Sequence, residues 1–359
     1  MKLLFVVSSL TPGGAEKVCS FLANRWCSSH EVVLVTLKNR KDFYPLESSI
    51  KRYYLGIDRK RWFYLFPTII LVWKLRKLII KEKPDYIISF VVKTNIFTLL
   101  STIGLKFPVI VTEHSTIINK TVDKKQHFFR NILYHHSHKI TVLSDTIKHE
   151  LIESYPKIDP KKIEVVPNPL IRLQESYFSN LEKKEKTIIT VSRLVPSKRI
   201  DLLVRAFKIL VSKNPDFRLK IVGDGPDRSF IEKLIHEQGL AQYVEILGFI
   251  KEVHYYLSKA SIFVFTSEYE GFGLVLLEAM EASLPIVAFD VPGVRDIIQS
   301  GINGILVPFG DTLTLANTMH MLIQDEELQK KLIKEGKKTL KKYSPKNIDN
   351  IWFKKVLID

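Results

Sequence analysis

Two glutamates eight positions apart, Glu270 and Glu278, bracket a glycine-rich turn in the stretch FTSEYEGFGLVLLEAMEASLPIVAFDVPG, residues 265–293. Gly271 and Gly273 punctuate the turn, and residues 274–282 then read as helix. Glu270 therefore precedes that helix, and Glu278 lies inside it. A helix N-terminus offers free backbone N–H groups and the positive end of a dipole, which suit a phosphate or a polar sugar. The glycines let backbone approach such a ligand closely. A carboxylate inside the helix can accept hydrogen bonds from paired ribose hydroxyls, as an acidic residue does in dinucleotide sites. A glycine turn beside a solvated glutamate accounts for the same residues.

Other groups stand at similar places. In VSRLVPSKR, Arg193 and Lys198 follow an apolar run and flank a turn before a helix. Such a pair would clamp a diphosphate, the arginine through its planar fork and the lysine as a point charge. A solvated loop is the alternative. Gly223 and Gly225 of IVGDGP lack the third glycine of a dinucleotide fingerprint, so a tight strand-to-helix turn is the safer reading. Gly13 and Gly14 lie between the first apolar run and its helix, where backbone could approach a phosphate or sugar. Glu113 and His114 come directly after another apolar run, and His114 could hydrogen-bond a sugar or phosphate or be structural. His135, His136 and His138 have no carboxylate or cysteine at ligand spacing, which points to exposed imidazoles at a helix end. No D-x-D occurs, so nothing supports a bound divalent ion, and no cofactor is expected.

The elements that must position these groups alternate. Short β-branched runs at 3–8, 32–37, 86–90, 109–112 and 140–143 alternate with helical patterns in the first half. Runs at 187–192, 218–222, 244–247, 262–266 and 285–289 do so in the second, where helices are expected at 199–211 and 227–238. Such alternation implies doubly wound parallel sheets, in which ligands bind beyond the carboxyl ends of the strands. Two α/β, Rossmann-like domains facing across a cleft are expected, with the hinge at VVPNPL, residues 165–170.

Charge is uneven. The net charge is +16; residues 1–170 hold 27 basic and 14 acidic residues, and the remainder 27 and 24. The first half should therefore meet an anionic partner: nucleic acid, anionic lipid or a phosphorylated substrate. The two cysteines, Cys19 and Cys27, read as small core residues in a reducing compartment. KLLFVVSSL is too short for a signal peptide and reads as a strand. The longest apolar run, 62–73, is interrupted at Pro67 and Thr68 and falls short of the roughly 20 residues of a membrane span.

Taken in order, these landmarks resemble the retaining glycosyltransferases of family 4, which have the GT-B fold. The resemblance covers nearly the whole length. It rests on Glu270-Gly271-Phe272-Gly273-Leu274 with Glu278, on Arg193 and Lys198, on GDGP, on Gly248-Phe249 and on Gly13-Gly14. It implies residues 1–168 as an acceptor domain, 169–342 as a nucleotide-sugar domain, and 343–359 as a C-terminal helix crossing back to the first. Arg193 and Lys198 would neutralise the donor diphosphate, and Glu278 would hold the ribose. Glu270 and the backbone of Gly271, Phe272, Gly273 and Leu274 would hold the sugar and phosphate. Backbone around Phe249 would face the base, Gly13, Gly14 and Gly223 would belong to the donor site, and His114 would touch the transferred sugar. DVPGVRDII departs from the commoner pattern, with Asp296 where a glutamate is usual. GGAEKV, FYPLE and TEHST look most like bacterial enzymes of lipid-linked oligosaccharide or surface polysaccharide assembly. The resemblance thus implies a metal-independent hexosyltransferase taking a nucleotide sugar, a UDP-sugar first, to a glycan or a polyprenyl-diphosphate-linked acceptor. A sugar-nucleotide epimerase of the same fold would make a new nucleotide sugar from donor alone, whereas a transferase would mostly hydrolyse it slowly. A basic nucleic-acid-binding protein would explain the charge, but no such module is recognisable, and nucleic acid is not an expected partner.

One segment, 58–84, joins basic and apolar character. Pro67 suits the first position of a helix. Lys74, Lys77 and Lys81 then make a basic stripe, Ile70, Trp73 and Leu78 supply apolar surface, and Arg59, Lys60, Arg61 and Trp62 precede it. A core-packed helix with a solvated face is one reading. The favoured one is a helix that meets anionic lipid or the diphosphate of a lipid-linked acceptor, holding the protein on the cytoplasmic face of the plasma membrane.

Overall fold

The computed structural model describes residues 1–56, 66–117, 124–171 and 184–357, with main chain alone at 66 and 67. The chain divides into two compact units, Met1–Ile171 with Ile348–Asp359, and Arg172–Asn347.

In the first unit, the strands are β1 (Lys2–Val7), β2 (Glu31–Thr36), β3 (Lys51–Tyr54), β4 (Tyr86–Phe90), β5 (Val109–Thr112), β6 (Lys139–Val142) and β7 (Ile163–Val165). They form one parallel sheet in the order β3-β2-β1-β4-β5-β6-β7. The helices are α1 (Gly14–Trp26), α2 (Phe66–Glu82), α3 (Val92–Thr102), α4 (Lys124–Leu133) and α5 (Asp145–Ser154). Helices on both faces explain why the central strands are apolar without alternation: residues 3–7 and 86–90 are buried throughout. The C-terminal segment belongs to this unit. Asp349 accepts hydrogen bonds from Arg25 at 2.6 Å and the Trp26 indole at 2.9 Å, and Trp352 and Phe353 pack on Trp26 at 5.5 and 5.1 Å.

The second unit repeats the plan with β8 (Thr187–Val191), β9 (Arg218–Val222), β10 (Val244–Gly248), β11 (Ile262–Phe265), β12 (Ile286–Phe289) and β13 (Ile305–Val307). Its parallel order is β10-β9-β8-β11-β12-β13. Helices α6 (Ile200–Lys213), α7 (Arg228–Glu237), α8 (Val253–Lys259), α9 (Leu274–Glu281), α10 (Thr312–Gln324), α11 (Glu326–Leu340) and α12 (Pro345–Ile351) complete the chain.

Five strands per half were expected; the sheets hold seven and six. The three additions, β3, β7 and β13, all lie at sheet edges. An edge strand buries less of its surface, so it needs no continuous apolar run: β3 reads Lys-Arg-Tyr-Tyr, and β7 and β13 have three residues each. The strand order reverses at β1/β4 in one sheet and at β8/β11 in the other. These are the switch points beyond which doubly wound sheets bind ligands.

Candidate functional site

At the β8/β11 switch point the second unit gathers the groups singled out by spacing. Arg193 follows β8. Its side chain is exposed and makes no hydrogen bond or ion pair among the described residues. The loop carrying it is fixed by its neighbour Leu194, which is fully buried; its N–H donates to the Asp224 carbonyl at 2.9 Å, and its carbonyl accepts from the Asp227 N–H at 3.1 Å. The glycines of GDGP make this possible. A Cβ on Gly223, which has φ +141°, would lie 1.7 Å from the Ser192 carbonyl oxygen, and one on Gly225 2.2 Å from that of Leu194. Their visible role is close backbone approach to the arginine loop, not a dinucleotide turn.

Lys198 ends a 3-10 turn before α6. Its carbonyl accepts from the Thr266 hydroxyl at 2.9 Å, and the Glu268 N–H donates to the Ser197 carbonyl at 2.8 Å. The turn after β8 is thereby tied to the loop after β11. Lys198 and Glu270, read from sequence as separate ligand contacts, form an ion pair with each other, and the Ser267 hydroxyl donates to the same carboxylate oxygen at 3.0 Å. The lysine is thus half of a neutral pair, and the uncompensated cation of the expected clamp is Arg193.

Gly273, with φ +82°, precedes α9, and among the described residues no side chain caps that helix. The Leu276 N–H donates back to the Gly273 carbonyl at 2.9 Å, so the N–H groups left for another acceptor at this end are at most those of Leu274 and Val275. Phe272 turns inward: it is 3% exposed and packs edge-on against Tyr343 at 5.5 Å. Only main chain at that position is left to face a ligand, with Gly271 before it and Leu274 after it. Glu278 sits one turn into α9 and is half-buried. Gly293, at φ +82°, brings the DVPGVRDII loop onto Glu270; a Cβ there would stand 2.2 Å from the Glu270 carbonyl oxygen. Phe249, just after β10, is exposed.

In the first unit, Gly13 is extended at φ 177° and precedes α1, which Gly14 opens. Sequence reasoning missed Tyr44, in the FYPLE segment. The Gly13 N–H donates to the Tyr44 hydroxyl at 3.3 Å, and that hydroxyl donates back to the Gly13 carbonyl at 3.2 Å. Pro45 accepts bonds from Ser20 and Asn24, which dock the segment on α1. The Tyr-Pro pair after β2 was the available signal.

His114 follows β5, stacks on Phe90 with centroids 5.5 Å apart, and holds Nε2 3.1 Å from the Thr112 hydroxyl. Burial pushes its pKa down to about 4, so the ring is neutral at physiological pH. Glu113 turns the other way. It is fully buried in an ion pair with Arg130 at 2.8 Å and also accepts from the Tyr134 hydroxyl. Beside them Val91 has φ +73°, a conformation that costs a β-branched residue on the order of 1–3 kcal/mol.

On α2, Lys74, Lys77 and Lys81 are exposed, and Lys77 lies 3.7 Å over the ring of Trp73, itself 53% exposed. Leu78 corrects the expected apolar surface: it is buried, and the exposed apolar residues are Ile69, Ile70, Trp73 and Ile80. Arg59, Lys60, Arg61 and Trp62 lie outside the described residues. Sequence reasoning also passed over α4, which exposes Phe128, Phe129 and Ile132 beside Lys124 and Lys125. His135 and His136 are exposed on a 3-10 turn, and Cys19 and Cys27 are free thiols. Among the described residues no group of three or more His, Cys, Asp or Glu is gathered as a metal site, and no helix is long and apolar enough to cross a membrane.

Two parallel Rossmann-like sheets, with polar and glycine-rich loops at their switch points, define the class of double-domain α/β ligand-binding proteins. Two family models match almost end to end: Glycosyltransferase Family 4 over residues 12–170, and Glycosyl transferases group 1 over residues 173–339. A Campylobacter jejuni enzyme named GalNAc-alpha-(1->4)-GalNAc-alpha-(1->3)-diNAcBac-PP-undecaprenol alpha-1,4-N-acetyl-D-galactosaminyltransferase is 29% identical over 99% of this chain and 98% of its own. A second C. jejuni enzyme, N-acetylgalactosamine-N,N'-diacetylbacillosaminyl-diphospho-undecaprenol 4-alpha-N-acetylgalactosaminyltransferase, is 27% identical over 92% of each. The crystal structure of Anabaena Alr3699/HepE in complex with UDP and glucose shares the fold, with a TM-score of 0.84 and 20% identity over 99% of this chain and 98% of that one. The chain belongs to the GT-B glycosyltransferases.

Proposed function

We propose that this glycosyltransferase moves a hexose, an N-acetylhexosamine first among them, from a UDP-sugar to a polyprenyl-diphosphate-linked oligosaccharide, with retention at the anomeric carbon and without a metal. The observation that carries the reading is the pair of loops after β8 and β11, which carry Arg193, the Lys198–Glu270 ion pair and the N-terminus of α9. The two C. jejuni relatives, named for N-acetylgalactosamine transfer to undecaprenyl-diphosphate-linked glycans, support the sugar and acceptor classes.

The chemistry follows from that inventory. The bond from the anomeric carbon to the donor phosphate breaks, and a bond to the acceptor hydroxyl forms on the same face. The acceptor proton passes to the departing diphosphate oxygen. Arg193, Lys198 and the α9 N–H groups stabilise negative charge on that leaving group, the largest single contribution expected of such a site. Charge supplied in this way needs no divalent ion, so transfer should persist in EDTA; complete loss restored by Mg²⁺ or Mn²⁺ contradicts the assignment. Glu278 holds the ribose. Glu278→Gln should weaken UDP binding about tenfold by calorimetry, the scale of one charge-assisted hydrogen bond. Unchanged affinity removes Glu278 from the donor site.

The exposed basic and apolar face of α2 holds the enzyme on an anionic membrane surface at the cytoplasmic side. Changing Lys74, Lys77 and Lys81 together to Glu should abolish binding to vesicles rich in anionic lipid and leave slow donor hydrolysis intact. Equal vesicle binding by that variant, with normal transfer to a lipid-linked acceptor, makes α2 a solvated helix.

A further inference from the structure

We propose that Thr112 is a positioning residue that fixes His114 as its Nε2–H tautomer, leaving Nδ1 as an acceptor for a hydroxyl or N–H of the bound sugar. That the ligand is a sugar rests on the proposed function; the tautomer does not. The Thr112 hydroxyl donates to the Ser89 carbonyl oxygen at 2.9 Å and lies 3.1 Å from His114 Nε2. A hydroxyl has one proton. With that proton on Ser89, Thr112 can only accept from the ring, so Nε2 carries the hydrogen. Nδ1 then bears a lone pair, and it is buried with no partner among the described residues. The opposite arrangement turns the Thr112 proton to Nε2 and buries an Nδ1–H without an acceptor. Orphaned N–H groups are rarer in proteins than under-used acceptors.

The surroundings keep this geometry. Thr112 pairs with Phe90 across β4 and β5, and the His114 ring stacks on Phe90. Ser89 donates through its hydroxyl to Asn95 Oδ1 at 2.7 Å. The Asn95 amide donates to the Thr112 carbonyl at 3.0 Å and to the Tyr134 hydroxyl at 3.1 Å. Asn95, Thr112 and Ser89 are all buried. A neutral acceptor nitrogen welcomes a ligand group that brings a hydrogen and repels a bare acceptor such as a carboxylate. His114 therefore favours a sugar that presents a hydroxyl or amide N–H at that position.

Two-bond ¹H–¹⁵N spectra of the whole chain, labelled at histidine, read the tautomer with no substrate present. The chain has 10 histidines, and His114→Gln identifies the relevant signals. The expected result at pH 7 is a protonated Nε2 and a bare Nδ1. Thr112→Val should turn the ring into a mixture of tautomers, and Thr112→Ser should restore the wild-type form. A protonated Nδ1 in the wild type, or a Thr112→Val ring identical to it, overturns the inference. In the second arm, kcat/KM is compared for UDP-N-acetylglucosamine and UDP-N-acetylgalactosamine. Thr112→Val should lose about tenfold with the better neutral donor while Thr112→Ser stays near wild type, the scale of one hydrogen bond. Equal kcat/KM despite an altered tautomer overturns the contact with the sugar. If no nucleotide sugar is used at all, the proposed function fails and the sugar contact falls with it, while the spectra still decide the tautomer.

Discussion

Arg193→Ala should lower kcat/KM about a hundredfold or more, on the order of 2.7 kcal/mol of transition-state stabilisation. The reason lies in the distribution of charge at the β8/β11 loops. Lys198 is already paired with Glu270, so Arg193 is the cation whose charge nothing among the described residues offsets. Its contact with the donor strengthens as the leaving diphosphate gains charge, so the loss should fall mainly on kcat. Lys198→Ala should be of the same order, but with a second effect. It leaves Glu270, 15% exposed, without its ion-pair partner and beside the phosphate. Removing both members of the pair, Lys198→Ala with Glu270→Gln, should then differ from the sum of the single changes, because the two residues act through one contact. Steady-state kinetics on Arg193→Ala, Lys198→Ala, Glu270→Gln and the Lys198→Ala/Glu270→Gln double variant with one donor check this. Near-normal turnover in both Arg193→Ala and Lys198→Ala sinks the assignment.

Arg130→Met should destabilise the first unit by about 3–5 kcal/mol, because it strands a buried carboxylate. Glu113 and Arg130 both have fully buried side chains. Burial by itself would disfavour the charged guanidinium, but Glu113, Tyr134 and Tyr155 together outweigh it and raise the Arg130 pKa. Burial, with Glu113 alongside, likewise raises the pKa of Tyr134. The cluster joins the end of β5 to α4, so its loss should also reach the His114 loop. Adding Glu113→Gln to Arg130→Met should recover a large part of the loss, since a neutral amide costs far less to bury than an unpaired charge. Denaturant unfolding of the whole chain compares both variants with wild type. A single variant within about 1 kcal/mol of wild type means that water or rearrangement satisfies Glu113 at little cost.

Both expectations rest on pairings that spacing along the chain does not reveal. What the sequence determined by itself was local. Apolar runs such as LLFVV and YIISF specify central strands because a strand buried on both faces admits no polar alternation. The turn at Gly271–Gly273 specifies where α9 begins, because a positive φ before a helix favours glycine. The order of Arg193, Lys198, Gly223, Glu270 and Glu278 along alternating strands and helices was enough to suggest the family, since in a doubly wound sheet the ligand groups follow the strands.

Tertiary structure decided the partners. Lys198 meets Glu270 across 72 residues of chain, Glu113 meets Arg130 across 17, and the Tyr44 hydroxyl meets Gly13 across 31. It also decided direction. Phe272 sits inside the signature motif yet points into the core against Tyr343, and Leu78 turns inward while Ile69 and Ile80 face out. The edge strands β3, β7 and β13 exist because a neighbouring strand supplies their hydrogen bonds, not because three or four residues of their own would form one. A strand or a helix carries its period in its own residues. An ion pair, a tautomer or a buried face is fixed only when packing removes water and leaves one partner within reach.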